Sequence, residues 1–411
     1  MLFSITAVAH VHNPEASEKA VITEGNARFT ILTDRLIRME WAEDGVFEDR
    51  ASLAVINRNL PVPAFRVSRN DGSLIIKTDA VTLTYKGTDC FSEENLKLTF
   101  RMNGSLQVWY PGKDNGANLL GTSRTLDKCM GFGKLNPGDP MEPGILSRDG
   151  WAVIDESSRH ILCKDDSSWG EWVSPRPEGK RIDWYMFAYG HDYMAALADF
   201  TKIAGKIPLP PKYAFGYWWS RYWKYSDEEF LALGREFRER QIPIDIMVID
   251  MDWHYTYPLT REKTPKDEVG QRFGWTGYTW NRDYFADPEG FLADVHSLGL
   301  KTSLNLHPAL GVDSREECYD RFVADYLSRC SEYDGPEGYR SGAHRVRVPF
   351  RMSQQEWADA YFNSVIHPLE DQGVDFWWLD WQQWKESEYV EGLNNTYWLN
   401  WTFFNDKVRQ G

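Results

Sequence analysis

Cysteine is scarce in this 411-residue chain. The five present, Cys90, Cys129, Cys163, Cys318 and Cys330, are odd in number, scattered and never spaced as CxxC. That argues against a disulfide framework and a cysteine-based metal site, and makes a reducing compartment the default. The cytoplasm is therefore expected, with the bacterial envelope or secretion left open. Positive charge is also in deficit: 46 Lys and Arg against 61 Asp and Glu leave a net charge of −15. Such a surface repels phosphate backbones and anionic lipid, so neither nucleic acid nor membrane is an expected partner. No apolar run approaches membrane-spanning length. The opening MLFSITAVAH has an Ala7-Val8-Ala9 triplet but no Lys or Arg before Lys19, and reads as a strand rather than a signal peptide.

Aromatic residues, in contrast, are abundant: 15% of the chain, with 19 Trp. Aromatic faces are platforms for sugar rings, but β-rich cores use Trp and Tyr as well, so composition leaves both readings open. The stretch FWWLDWQQW (376–384) sharpens the question, because it sets one acid, Asp380, among Phe376, Trp377, Trp378, Trp381 and Trp384. A charge is costly to bury unless it is paired or used. Asp380 is therefore either a satisfied core acid or a reactive carboxylate in an apolar pocket.

Length predicts more than one core. Residues 1–207 read as a β-sandwich domain. Short alternating runs at 27–33, 35–41, 73–78, 80–85, 96–100 and 151–155 are separated by turn signals such as NDG (70–72) and MNG (102–104). A helix is expected over 192–205, and the prolines of PLPPK (208–212) mark a boundary. From 208 to 411 the pattern alternates. Strands are expected at 214–219, 244–250, 301–306 and 374–380. Between them lie helices at 226–240, at 287–298 behind Asp287-Pro288, and from Ser353 to Leu369, two of them opened by the capping boxes Ser226/Glu229 and Ser353/Glu356. Residues 394–411 read as a helix after the fourth strand. Near-continuous apolar strands joined by helical crossovers imply a parallel sheet buried on both faces. No Gly-rich phosphate loop follows the first strand, so a (β/α)8 TIM barrel, of which this chain holds the N-terminal half, fits better than an open nucleotide-binding sheet.

In such barrels the site lies at the C-terminal strand ends. Those ends read Trp218-Trp219-Ser220-Arg221, Asp250-Met251-Asp252-Trp253-His254, Asn305-Leu306-His307 and Asp380-Trp381-Gln382. Acids beside aromatics at one rim suit glycoside hydrolysis, which commonly uses a pair of carboxylates. Asp380 can attack an anomeric carbon, and Asp252 can accept sugar hydroxyls. Asp250 points the same way but also suits strand-end capping. His254 and His307 either bind hydroxyls or are structural. Two histidines among aspartates are a weak basis for a metal, and no metal or cofactor is expected.

These segments resemble the family 31 glycoside hydrolases, which include α-glucosidases and α-xylosidases. The resemblance rests on LIRMEWAEDGVFEDRAS (36–52), NLLGTSRTLD (118–127), EPGILSRDGWAVID (142–155), PPKYAFGYWWSRY (210–222), IPIDIMVIDMDWH (242–254) and GVDFWWLD (373–380), and runs over nearly the whole chain. It implies a β-sandwich followed by a (β/α)8 barrel and retention at an α-linkage. Asp380 falls on the family's nucleophile and Asp252 on the acid that holds a hydroxyl of the −1 sugar. Trp218, Arg221, Trp253, His307, Trp378, Trp381 and Gln382 are the further residues expected to line an oligosaccharide or glycoside subsite.

The chain departs from the family in two places. The family commonly continues the nucleophile motif as Asp-Met-Asn-Glu, whereas here Trp381-Gln382-Gln383 follow Asp380. This leaves the sugar open, with α-galactosides and N-acetylgalactosaminides beside α-glucosides. FGWTGYTWN (273–281) replaces the usual short loop after the second strand, and its Trp275, Tyr278 and Trp280 serve either sugar contact or loop packing. The family's acid/base lies beyond the nucleophile and has no matching motif before Gly411, so a C-terminally truncated, poorly active piece of a longer enzyme is expected. α-Transglycosylation is the rival within enzymes, and a non-catalytic carbohydrate-binding protein the rival outside them. Oligomeric state is left open.

Overall fold

The computed structural model describes residues 12–121, 141–256, 274–330, 347–380, 387 and 389–410. The chain divides into two compact units between Pro208 and Leu209. The N-terminal strand reading, part of the 118–127 segment, Trp381 and Gln382 lie outside the described residues.

The first unit holds two five-stranded antiparallel sheets. One orders its strands as 21–24, 27–31, 36–42, 181–187 and 152–155; the other runs 65–70, 73–78, 81–86, 96–102 and 105–109 in sequence order. Strict alternation in Leu74-Ile75-Ile76 and Val81-Thr82-Leu83-Thr84-Tyr85 buries every second side chain. These face Phe29, Met39 and Trp41 of the other sheet in one core, which makes the unit a sandwich. The first sheet is covered on its other face as well. The helix Tyr193–Ala204, capped by Asp192, packs Ala196 and Ile203 there with Leu36, Tyr185 and Phe187.

The motif at 36–52 has a structural meaning that sequence could not supply. Arg38, 1% exposed, donates twice to Asp183 (2.8 Å each) and once to the Glu48 carbonyl (2.7 Å). Arg28 bridges Glu40 (2.7 and 2.9 Å) and Asp49 (2.7 and 3.0 Å). The run of charges thus straps the 43–51 loop onto a buried face of the sheet.

The second unit is built on a four-stranded parallel sheet in sequence order: Trp218–Trp219, Ile246–Ile249, Lys301–Leu306 and Phe376–Leu379. Its helices include 227–239, closed by the expected Ser226/Glu229 capping box, and 288–297, opened by Asp287 and Pro288. Three expectations need correction. Residues 212–215 form a 3-10 turn, so the first strand is shorter than read; the Pro210-Pro211 pair ahead of it favours a turn. A helix at 319–329, absent from the sequence reading, lies within the third crossover. Ser353 does not cap the next helix: its hydroxyl pairs with Ser387, and the helix starts at Gln355. That helix widens to a π turn at 362–366 just before Pro368. Proline has no N–H for the Ser364 carbonyl, which instead accepts from Arg321 (2.6 Å).

Register fixes which side chains share a face. Ile246 pairs with Lys301 and Trp218, Ser303 with Phe376, and Asn305 with Trp378. Trp219 and Trp377 turn toward the helices, against Phe230 (ring centroids 6.0 Å) and Glu370 (Nε1–Oε1 2.8 Å). Trp218 and Phe376 meet on the opposite face (5.2 Å). Period-two alternation then carries Asp250, Asn305, His307, Trp378 and Asp380 to that same opposite face at the C-terminal ends.

Candidate active site at the C-terminal strand ends

Asp380 follows the fourth strand directly, with its N–H donating to the Leu306 carbonyl (3.0 Å). Its half-buried carboxylate accepts from Asn305 Nδ2 at Oδ2 (2.8 Å), and His307 Nε2 lies 3.5 Å from the same oxygen. His307 is 3% exposed. Its ring lies against Trp275 (centroids 5.2 Å) and its carbonyl accepts the Thr276 hydroxyl. Gly311, at φ +81°, lets the chain turn beneath the 347–348 strand, where an added Cβ would sit 2.0 Å from the Val348 carbonyl oxygen.

Asp250 is the acid that register brings toward Asp380. Burial raises its carboxyl above the usual range; the Met251 N–H (2.7 Å) and His307 oppose that, while the Asp380 and Asp252 charges add to it. Capping of Met251 is thus only part of its environment. Asp252 sits one turn further on, buried in the 3-10 turn Met251–Trp253. Burial also raises its carboxyl, and Lys224 from the loop after the first strand opposes this. Tyr222, in the same loop, is pushed up by burial and by both aspartates. Tyr222 and Lys224 escaped the sequence reading because a loop has no periodicity to show where it folds. Asn305 was detectable, standing two residues before His307 on one strand face.

The remaining sequence candidates separate. Trp378 shares Asp380's face and is half-buried. Trp253 does not line a subsite: it is 0% exposed, gives its indole N–H to the Asn305 carbonyl (2.8 Å) and packs on Trp280 (5.1 Å). It stands an odd number of residues from Asp250, on the side of Trp377 (6.4 Å), so alternation turns it away from the face that carries Asp380. Trp218 lies against Phe376, which precedes Asp380 by four residues, so it belongs to the other end of the sheet. Its indole donates to Ala214 (3.0 Å). Arg221 is exposed, with its guanidinium 4.9 Å above Trp223. His254 is buried beside Gly277, its Nδ1 at 2.9 Å from the Tyr255 carbonyl; burial pushes its pKa down to about 4, so it stays neutral and structural. Of the described aromatics among residues 273–281, Tyr278 and Trp280 are core residues and Trp275 packs on His307 at the rim.

Among the described residues, His367, Glu370 and Asp406 have metal-ligand spacing. Their oxygens already accept from cations and N–H groups: Asp406 from Arg409 (2.6 Å) and Gln410 (2.9 Å), Glu370 from Lys407 (2.7 Å) and Trp377 (2.8 Å). The arrangement is a clamp between the 367–371 and 395–410 helices. No helix of the described residues is long and apolar enough to cross a membrane.

A parallel β/α sheet with acids gathered at its C-terminal rim is the arrangement in which α/β folds place a ligand site. Residues 207–405, nearly the whole second unit, match the glycosyl hydrolases family 31 TIM-barrel domain, and this unit belongs to that domain family. It is 25% identical over 329 residues to an α-xylosidase of Saccharolobus solfataricus, a match covering 76% of this chain and 39% of that protein. An "Alpha-glucosidase 2" of Bacillus thermoamyloliquefaciens is 28% identical over 156 residues, covering 38% of this chain and 17% of that protein. In fold, the chain resembles a Flavobacterium johnsoniae GH31 dextranase complexed with glucose. That TM-score is 0.58 at 17% identity, over 97% of this chain and 52% of that one. The chain thus spans about half the length, or less, of these relatives.

Proposed function

We propose that the protein carrying this chain is a retaining α-glycosidase acting on terminal α-linked glucose or xylose, with Asp380 as nucleophile. The observation that carries this reading is the position of Asp380: at a parallel strand end, with Asn305 and His307 at one carboxylate oxygen and a second acid, Asp250, nearby. In the first step an Asp380 oxygen forms a bond to C1 as the C1–O bond to the leaving group breaks. The leaving oxygen takes a proton from a general acid other than Asp250, Asp252 and Asp380. In the second step the deprotonated form of that acid takes a proton from water, whose oxygen bonds to C1 as the C1–O bond to Asp380 breaks and the carboxylate departs. Asp250 and Asp252 hold sugar hydroxyls, with Asp250 the closer to the reacting carbon, and Trp378 forms a wall. The relatives named α-xylosidase and α-glucosidase support the substrate class.

The four parallel strands are, in this reading, half of an eight-stranded barrel. Supporting it, the outer strands 218–219 and 376–379 each leave one edge without a partner strand among the described residues.

The test uses the natural gene product that contains this sequence. A 5-fluoro-α-glycosyl fluoride should trap an ester on the peptide holding Asp380, seen by mass spectrometry, and NMR should show the α-anomer as first product. A β-anomer first, or an ester on another residue, overturns the proposal.

A further inference from the structure

Asn305 and His307 lie at the end of the strand next to Asp380, and both direct a side-chain nitrogen at one oxygen. Asn305 Nδ2 is 2.8 Å from Asp380 Oδ2 and His307 Nε2 is 3.5 Å from it. Neither side chain has room to wander. Asn305 is 0% exposed, and its backbone is tied into the ladder and to Trp253. His307 is backed by the Trp275 ring and pinned through its carbonyl by Thr276, whose hydroxyl also accepts the Leu310 N–H (3.3 Å). The Asp380 main chain is fixed to the same strand through Leu306. A carboxylate gripped this way does not rotate freely about Cβ–Cγ, so the same oxygen is presented to a substrate each time.

We infer that Asn305 and His307 are positioning residues that hold the Asp380 carboxylate for attack and stabilise it as the group that departs when the glycosyl ester is hydrolysed. The inference rests on Asp380 being the nucleophile. Its chemistry is asymmetric between the two steps. When the ester forms, the carboxylate loses negative charge, and neither the Asn305 N–H nor a proton on His307 Nε2 gains from that. When the C1–O bond of the ester breaks, the electron pair returns to Asp380, and donors already in place stabilise it without reorganising. Their removal therefore slows the second step more than the first.

This has a kinetic signature that loss of folded protein does not share. Slowing the second step lowers kcat and KM together and leaves kcat/KM nearly constant, because the glycosyl-enzyme accumulates. A misfolded fraction lowers kcat at unchanged KM. The experiment is burst kinetics of the natural gene product, as parent, Asn305→Ala and His307→Phe, on an activated aryl α-glycoside. His307→Phe keeps a ring against Trp275 and removes the nitrogen. The expected result is a kcat lower by about 10- to 100-fold, as for loss of a hydrogen bond to a charged group. KM should fall by a comparable factor, with a burst near one equivalent per site. His307→Gln, which retains an N–H donor, should recover part of kcat. A kcat within about 3-fold of parent in both variants overturns the inference, as does a kcat that falls at constant KM with a proportionally smaller burst. If the parent turns over but the trapped ester lies on another residue, the nucleophile assignment fails and this inference fails with it. If the ester is on Asp380 and the variants behave as parent, this inference fails alone.

Discussion

Asp250→Asn separates strand-end capping from substrate anchoring. In the structure this carboxyl has two tasks in tension. It accepts the Met251 N–H at 2.7 Å, a cap that asparagine also provides. It also holds a charge against burial and against Asp380 and Asp252. Folding therefore disfavours its ionised form, and a neutral isostere should leave stability unchanged or raise it by up to about 1 kcal/mol. Activity should move the other way. An anionic acceptor for sugar hydroxyls contributes about 1.5–3 kcal/mol, so kcat/KM should drop roughly 10- to 150-fold. The assay pairs kcat/KM on aryl α-xyloside and α-glucoside with the urea midpoint of the natural gene product. Activity within about 3-fold of parent would show that Asp250 only caps, and the substrate anchor would revert to Asp252. A clear loss of stability would instead refute the electrostatic account of this site.

Two further predictions concern the scaffold. His254 has an ordinary pKa near 6.5 when unfolded and about 4 when folded. Between those values the unfolded chain binds the extra proton, so His254 makes stability fall as pH drops through this window, by up to about 3 kcal/mol. His254→Asn should flatten the dependence of the urea midpoint on pH between about 6.5 and 4; an unaltered slope would mean that the buried imidazole is not what titrates. Arg38→Met should destabilise the first unit by about 3–5 kcal/mol, because Asp183 and Glu40 stay buried with a principal partner gone. Thermal melting followed by near-UV circular dichroism reads this, and a shift of less than about 2 °C would refute it.

How far the sequence could be read depended on how local each signal was. Period-two alternation exposed the strands at 73–78 and 81–86, because one face of each is buried and the pattern needs nothing else. The Ser226/Glu229 box and the Asp287-Pro288 start formed as read, since a cap is closed by residues three apart. The Ser353/Glu356 box has the same spacing but failed, because Ser387, distant in sequence, takes the Ser353 hydroxyl. The same division runs through the candidate site. That Asp380 ends a strand was legible, as was the parallel order bringing the acids to one rim. Trp253, Trp218 and Arg221 resembled Trp378 in sequence, and only burial and register set them apart.

The sequence by itself determined the elements, their order and the acids that end the strands, because those follow from backbone periodicity and caps within a few residues. Tertiary structure decided which acid stands near Asp380, which aromatic rings are core, and that Asn305 and His307 grip a single oxygen. Those outcomes depend on the register between strands more than fifty residues apart in sequence, and on which loops fold over the strand ends. Neither is written in any local stretch of the chain.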